Sequence, residues 1–127
     1  MKRVTGIGGI FFKSDDPEKL RSWYQQHLGL DADEFGAVFE WRYPDNPMKA
    51  GSTVWNPFPA TTEYFNPSTQ PFMINYRVEN LEWLLEQLQK EGVAWDGRIE
   101  DHEYGRFAWV MDPEGNRLEL WEPPFGT

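Results

Sequence analysis

The sequence predicts an α+β domain: two βαβββ modules forming one cupped mixed sheet, with helices on its outer face. Three observations carry this. A β-rich run followed by an amphipathic helix occurs twice, each helix is followed by strand-like segments, and a shift of 64 residues superimposes the two copies. That shift lays Phe12 on Tyr76, Asp16 on Asn80, Leu20 on Leu84 and Tyr24 on Leu88. One residue of slippage then brings Gly29 onto Gly92. Internal similarity at a fixed spacing is the mark of a duplicated structural unit.

The first copy opens with the β-rich "GIGGIFF", Gly6 to Phe12. In "SDDPEKLRSWYQQHLGL", Ser14 to Asp16 suit an N-cap and Pro17 suits a first helical turn. Leu20, Trp23, Tyr24, His27 and Leu28 recur at helical spacing, and Gly29 closes the helix. Strand-like segments follow around Ala37 to Tyr43 and Ser52 to Asn56. The second copy opens with "FMINYRV", Phe72 to Val78. Leu81, Leu84, Leu85 and Leu88 form the stripe of its helix, and Gly92 ends it. Strands are expected around Val93 to Ile99, Arg106 to Met111 and Arg117 to Glu122. The chain thus reads as one domain over residues 1–127: module one about 4–57, a linker about 58–71 and module two about 72–123. One such sheet leaves a concave face free for a ligand.

Composition narrows the function. Net charge is −9, which argues against a nucleic-acid partner, since displacing phosphate counterions needs a basic face. There are no cysteines, so disulfides, thiolate catalysis and thiolate metal sites are excluded. The run after the basic start, "MKRVTGIGGIFF", is short and glycine-broken, unlike a signal peptide, and no stretch has transmembrane length. A cytoplasmic protein without a membrane partner is expected. Aromatic residues make up 17% of the chain, more than so small an interior needs, so some rings should line a pocket or an interface.

Three stretches, "DDPEKLRSWYQQHLGL", "INYRVENLEWLLEQLQKEGV" and above all "YGRFAWVMDPEGNRLELWEP", resemble the vicinal oxygen chelate superfamily. It contains glyoxalase I, extradiol dioxygenases and bleomycin-resistance proteins. The turn D-P-x-G-N followed by a strand with E-L is its most specific mark here. The resemblance implies a cupped sheet of paired modules, a homodimer and a small-molecule ligand. Metal-dependent members hold a divalent ion in the cup, on two His or Gln and two Glu from the first and last strands of the modules.

Strand alternation assigns the faces. Leu118 and Leu120 belong to the core, so Glu119 and Trp121 face the cup with Arg117. If the "DPEG" turn pairs Asp112 near Asn116, Trp109 lies opposite Glu119, Phe107 opposite Trp121 and Val110 opposite Leu118. A one-residue slip would reverse these faces. Met73, Asn75 and Arg77 face the cup in module two; Gly9 and Phe11 do so in module one.

Laid on the ligand positions of the resemblance, module one offers Gly9 and the Thr53–Trp55 region, and module two offers Met73 and Glu119. Glycine has no donor and methionine is a soft ligand for a hard cation. Only Glu119 remains, so no metal or other cofactor is expected at the usual site. Beside Trp109 and Trp121, a desolvated Glu119 would have a raised pKa, the setting of a general acid or base. A charge paired with Arg77, Arg106 or Arg117 is the plainer alternative. The candidate catalytic residues are Glu119 and Glu103. The candidate ligand-binding residues are Phe11, Trp55, Met73, Asn75, Tyr104, Phe107, Trp109 and Trp121.

Elsewhere, "EDHEYGRF" reads as a polar hairpin loop or as a cap on the cup's mouth. His27 suits a helix C-terminus, where an imidazolium meets the dipole. Phe58, Tyr64 and Phe65 should pack, over the cup as a lid or against a second subunit; a ring-braced connection between the modules is the plainer reading. Two function classes follow. One is a metal-free or atypical enzyme of lyase or isomerase type acting on a small organic molecule around Glu119; standard lactoylglutathione lyase or dioxygenase chemistry is disfavoured. The other is non-catalytic sequestration of an aromatic or cationic compound, as in antibiotic resistance.

Overall fold

The computed structural model describes residues 1–127. Strand β1 (Val4–Ser14) leads into helix α1 (Pro17–Leu28), then β2 (Ala37–Tyr43) and β3 (Asn46–Pro59). The second half runs β4 (Phe72–Val78), α2 (Leu81–Lys90), β5 (Glu100–His102), β6 (Gly105–Met111) and β7 (Arg117–Glu122). All seven strands form one sheet in the order β2-β3-β1-β4-β7-β6-β5. The two module-opening strands, β1 and β4, pair antiparallel at its centre, and each pairs parallel with the last strand of its own module. No helix is long and apolar enough to cross a membrane.

The two helices start in the same way. Asp16 caps α1 by accepting from Lys19 N at 3.1 Å, and Asn80 caps α2 by accepting from Trp83 N at 3.0 Å. Gly29 ends α1 in the left-handed region at φ 67°, which favours glycine.

Their packing differs. Helix α2 buries Leu81, Leu84 and Leu85 against Val78, Ala108, Val110 and Leu120, with Tyr76 and Leu118 alongside. Helix α1 buries no residue fully. Its Tyr24 packs on Trp55 at 4.6 Å between ring centroids, while Trp23 and Leu28 stay largely exposed. Ile7 and Ile10, which pair with Tyr76 and Ile74 of β4, are also exposed. The main core therefore sits under module two.

Two expectations about strands are corrected. Residues 93–99 form no strand beyond a single bridge from Trp95 to Val110; the chain turns there through Gly97 at φ 81°. The short edge strand β5 falls instead at Glu100–His102, inside the stretch read as a loop. Strand β3 is also far longer than expected, because residues 46–52 pair with β2 beyond the reach of β1.

Candidate functional site

The turn before β7 fixes the site. The Asp112 carboxylate accepts from the backbone N–H groups of Glu114 and Asn116 at 2.9 Å, and from Asn116 Nδ2 at 2.8 Å. Gly115 takes φ 79°. This Asx-type turn sets the ladder in which Trp109 pairs with Glu119, Phe107 with Trp121 and Val110 with Leu118, the register expected from the sequence. On the other side β7 runs parallel to β4, pairing Asn75 with Glu119 and Arg77 with Trp121.

Glu119 is 2% exposed, yet both its oxygens are satisfied. Asn75 Nδ2 donates to Oε1 at 2.6 Å, Trp109 Nε1 donates to Oε2 at 3.0 Å, and the Tyr64 hydroxyl donates to Oε2 as well. Burial pushes the Glu119 carboxyl above the ordinary carboxylate range; the three donors and the nearby Arg117 guanidinium oppose that only in part. Burial and the Glu119 charge in turn push the Tyr64 phenol far above its ordinary value, so it stays protonated.

Tyr64 comes from the segment between the modules, which folds over the cup. Phe65 is fully buried with Met73 and Trp109, and Phe11, Phe58 and Phe107 pack around them. The rings of the connecting segment thus brace it against both modules, on Phe11 of β1 and on Met73 and Trp109 of module two. Arg117 holds it down: Nη1 donates to the Tyr64 carbonyl, Nη2 pairs with Asp96 at 2.7 Å, and the guanidinium lies 5.1 Å from the Trp109 ring centroid. Tyr64 is 40% exposed while the Glu119 it hydrogen-bonds is 2% exposed.

The structure thus gathers Met73, Asn75, Trp109 and Glu119 around one point, with Phe11 and Phe107 in the ring cluster beside it. Trp121 stacks on Phe107 at 6.0 Å, and its indole donates to the Tyr104 carbonyl at 2.8 Å. The Tyr104 ring is exposed and lies parallel to His102. Two candidates fall elsewhere. Trp55 packs on Phe12 and Tyr24 on the α1 side of the sheet, because β3 pairs it with Ile10. Glu103 is exposed in the turn between β5 and β6, at the sheet edge, and makes no hydrogen bond or ion pair with Glu119.

Arg106, one suggested partner for Glu119, pairs with Asp101 and Glu82 instead. Arg77 makes no ion pair with it either: its guanidinium lies 5.0 Å from the Trp121 ring centroid and 5.5 Å from that of Trp41. Sequence reasoning left Tyr64 and Trp41 out of the site. The aromatic content of the linker is the only sequence signal for the first.

The donor set does not fit a divalent ion. Glu119 is the one carboxylate among these groups; beside it stand the Asn75 amide, whose Oδ1 is buried without a partner, an indole N–H and a phenol, short of the charged or imidazole donors such an ion takes, and no three His, Asp or Glu side chains converge. The first strand of module one offers only glycine: β1 bulges between Ile7 and Gly9, and a Cβ on Gly8 would lie 2.2 Å from Asn75 Oδ1.

A sequence model of the Glyoxalase/Bleomycin resistance protein/Dioxygenase superfamily matches residues 6–120. Several solved structures share the fold. Methylmalonyl-CoA epimerase from Mycobacterium tuberculosis aligns with TM-score 0.61 and 16% identity over 98% of this chain and 91% of that one. A variant of the Streptomyces coelicolor methylmalonyl-CoA epimerase, in complex with 2-nitronate-propionyl-CoA, gives 0.66 and 14% over 94% and 98%. A superfamily member from Vibrio splendidus gives 0.56 and 12% over 91% and 97%. No curated protein matches.

Proposed function

Because the chain belongs to the glyoxalase/bleomycin-resistance/dioxygenase superfamily, we propose that it binds and transforms a small organic molecule in the cup around Glu119, without a divalent metal. The observation that carries this is a buried carboxylate on the cup face, held by Asn75 and Trp109 and hydrogen-bonded to Tyr64, a residue that is itself 40% exposed. A general base works best when its pKa lies near the working pH, and burial moves Glu119 in that direction. Rotation of Tyr64 would free Oε2 to take a proton from a bound molecule, while Asn75 and Trp109 hold the carboxylate in place. The Tyr64 phenol, which stays protonated, can donate a hydrogen bond to a bound molecule, and the proton taken by Glu119 can return from its own carboxyl. Reactions of this kind are lyase or isomerase chemistry at carbon next to a carbonyl. The epimerase neighbours act on a substrate of that class, which supports the reading without fixing the substrate. We place the protein in the cytoplasm as a homodimer, its second copy covering the exposed Ile7, Ile10 and Trp23 of module one.

A second reading, sequestration of an aromatic or cationic compound, is favoured by the ring surface at the sheet edge. His102 stacks on Tyr104 and Phe107 on Trp121 there, the two pairs meeting edge-on through Tyr104 and Phe107, with Tyr104 exposed, on a chain of charge −9.

A thermal-shift screen of α-keto acids, acyl thioesters and aromatic cations, followed by assays of every compound that stabilises the protein, tests both. Turnover that Glu119→Gln abolishes supports the enzyme. Stabilisation by aromatic cations with no turnover of any compound favours sequestration.

A further inference from the structure

Three donors satisfy Glu119, and they are not equivalent. Asn75 and Trp109 are buried on strands β4 and β6 of the sheet. Tyr64 stands outside the sheet, on the segment between β3 and β4, and is exposed. The deeper anchors of that segment are its neighbours: Phe65 is fully buried with Met73 and Trp109, and Phe58 packs on both Phe11 and Phe65. Tyr64 is thus the one donor to the carboxylate that is not built into the sheet.

The place its side chain fills is shaped for an aromatic ring with a hydroxyl at the tip. The ring stacks on Phe58 at 5.7 Å between centroids and 24° between planes, and meets Trp109 edge-on at 6.3 Å and 90°. The Arg117 guanidinium lies 5.9 Å from its centroid, where a cation is drawn to the ring face. At the tip, the hydroxyl donates to Glu119 Oε2, while Asn75 and Trp109 hold the carboxylate from the other sides.

These walls select a ligand by the same contacts. A flat ring keeps the stack on Phe58 and the edge of Trp109. A neutral O–H donor keeps the bond to Oε2, whereas an anion would meet the carboxylate charge and a molecule without a donor would leave a buried oxygen short of one.

We propose that Tyr64 occupies the ligand's place: the slot at Glu119 takes the ring of a neutral phenol, which swings the Tyr64 side chain out, donates its hydroxyl to Oε2 and stacks on Phe58. This rests on the reading of the cup around Glu119 as the ligand site, and it names the class of ligand that site takes. Tyr64 is then an internal competitor, and the affinity for the ligand is reduced by the fraction of molecules in which the slot is free.

Calorimetric titration with p-cresol, the tyrosine side chain as a free molecule, tests it, with p-xylene as the isostere that lacks the donor. Wild type should bind p-cresol saturably, and Tyr64→Ala should bind it about tenfold tighter or more, since the competitor is gone. A hole lined only by rings would take the more apolar p-xylene at least as well. Tyr64→Ala should instead prefer p-cresol about tenfold or more. In wild type carrying ring-labelled tyrosine, with Tyr64 assigned through Tyr64→Phe, saturating p-cresol should move the Tyr64 ring signal in the NMR spectrum to the position of an exposed tyrosine. No binding of p-cresol to wild type, equal affinity in wild type and Tyr64→Ala, p-xylene bound as well as p-cresol, or an unmoved Tyr64 signal would each overturn the proposal. Should Tyr64→Ala not fold, Tyr64→Phe takes its place: it keeps the ring but releases Oε2, so tighter p-cresol binding supports the slot and unchanged binding refutes it. Turnover of another compound that Glu119→Gln abolishes, with no p-cresol binding, refutes the phenol slot and leaves the enzyme reading standing. The expected p-cresol pattern with no turnover of any compound keeps the slot and refutes the enzyme.

Discussion

The phenol of Tyr64 hydrogen-bonds to the carboxylate of Glu119 across 55 residues of sequence, tying the segment between the modules to the last strand of the sheet. Removing the hydroxyl alone should be informative. Tyr64→Phe leaves the ring packing intact and takes one donor from a buried carboxylate. The expected loss is about 2 kcal/mol of unfolding free energy, measured by urea denaturation near neutral pH.

Glu119 makes stability depend on pH with a defined sign. Its folded pKa lies above the ordinary carboxylate value because it is buried. The native state therefore holds this proton more tightly than the unfolded chain does. The favourable contribution is full below the unfolded pKa and is lost as pH rises through the folded one. The unfolding free energy of wild type minus that of Glu119→Gln should fall as pH rises above the ordinary carboxylate range. A difference that rises there would mean the three donors outweigh burial.

Arg117 fastens the segment between the modules. It is 6% exposed, pairs with Asp96 and donates to the Tyr64 carbonyl. Arg117→Ala should cost about 3 kcal/mol, since it strands a half-buried acid and frees the segment above the cup. Hydrogen exchange of residues 62–68 should accelerate in the variant, while that of helix α2 follows only the global loss of stability.

Gly8 has no room for a side chain. A Cβ would lie 2.2 Å from Asn75 Oδ1, 2.9 Å from Trp121 and 3.0 Å from Arg77. Gly8→Ala should therefore destabilise by about 1–3 kcal/mol and disturb Asn75, the donor to Glu119. Comparison of its urea midpoint with that of wild type checks this.

How far the sequence could be read depended on the local rule at work. Strand parity, anchored by the Asp112 turn, placed Trp109 opposite Glu119 and Phe107 opposite Trp121, and it put Asn75 and Arg77 on the cup face. Parity needs a register to anchor it, and module one has no turn like that of Asp112; Trp55 pairs with Ile10 and lies on the α1 side, so the position expected to line the cup does not. Asn75 rather than Met73 sits beside Glu119, because the parallel register between β4 and β7 cannot be read from either strand alone. The aromatic content of the linker shows that Tyr64 packs somewhere, but not that it reaches Glu119. That contact depends on a loop crossing the sheet and on the Arg117 clamp that holds it there.

The central claim is that Glu119 serves the cup as a carboxylate held by Asn75, Trp109 and Tyr64, not as a metal ligand. Elemental analysis of the purified protein after incubation with divalent metals and gel filtration tests it most directly. Far less than one ion per chain is expected, with no difference between wild type and Glu119→Gln. One ion per chain in the wild type, lost in Glu119→Gln, would contradict it.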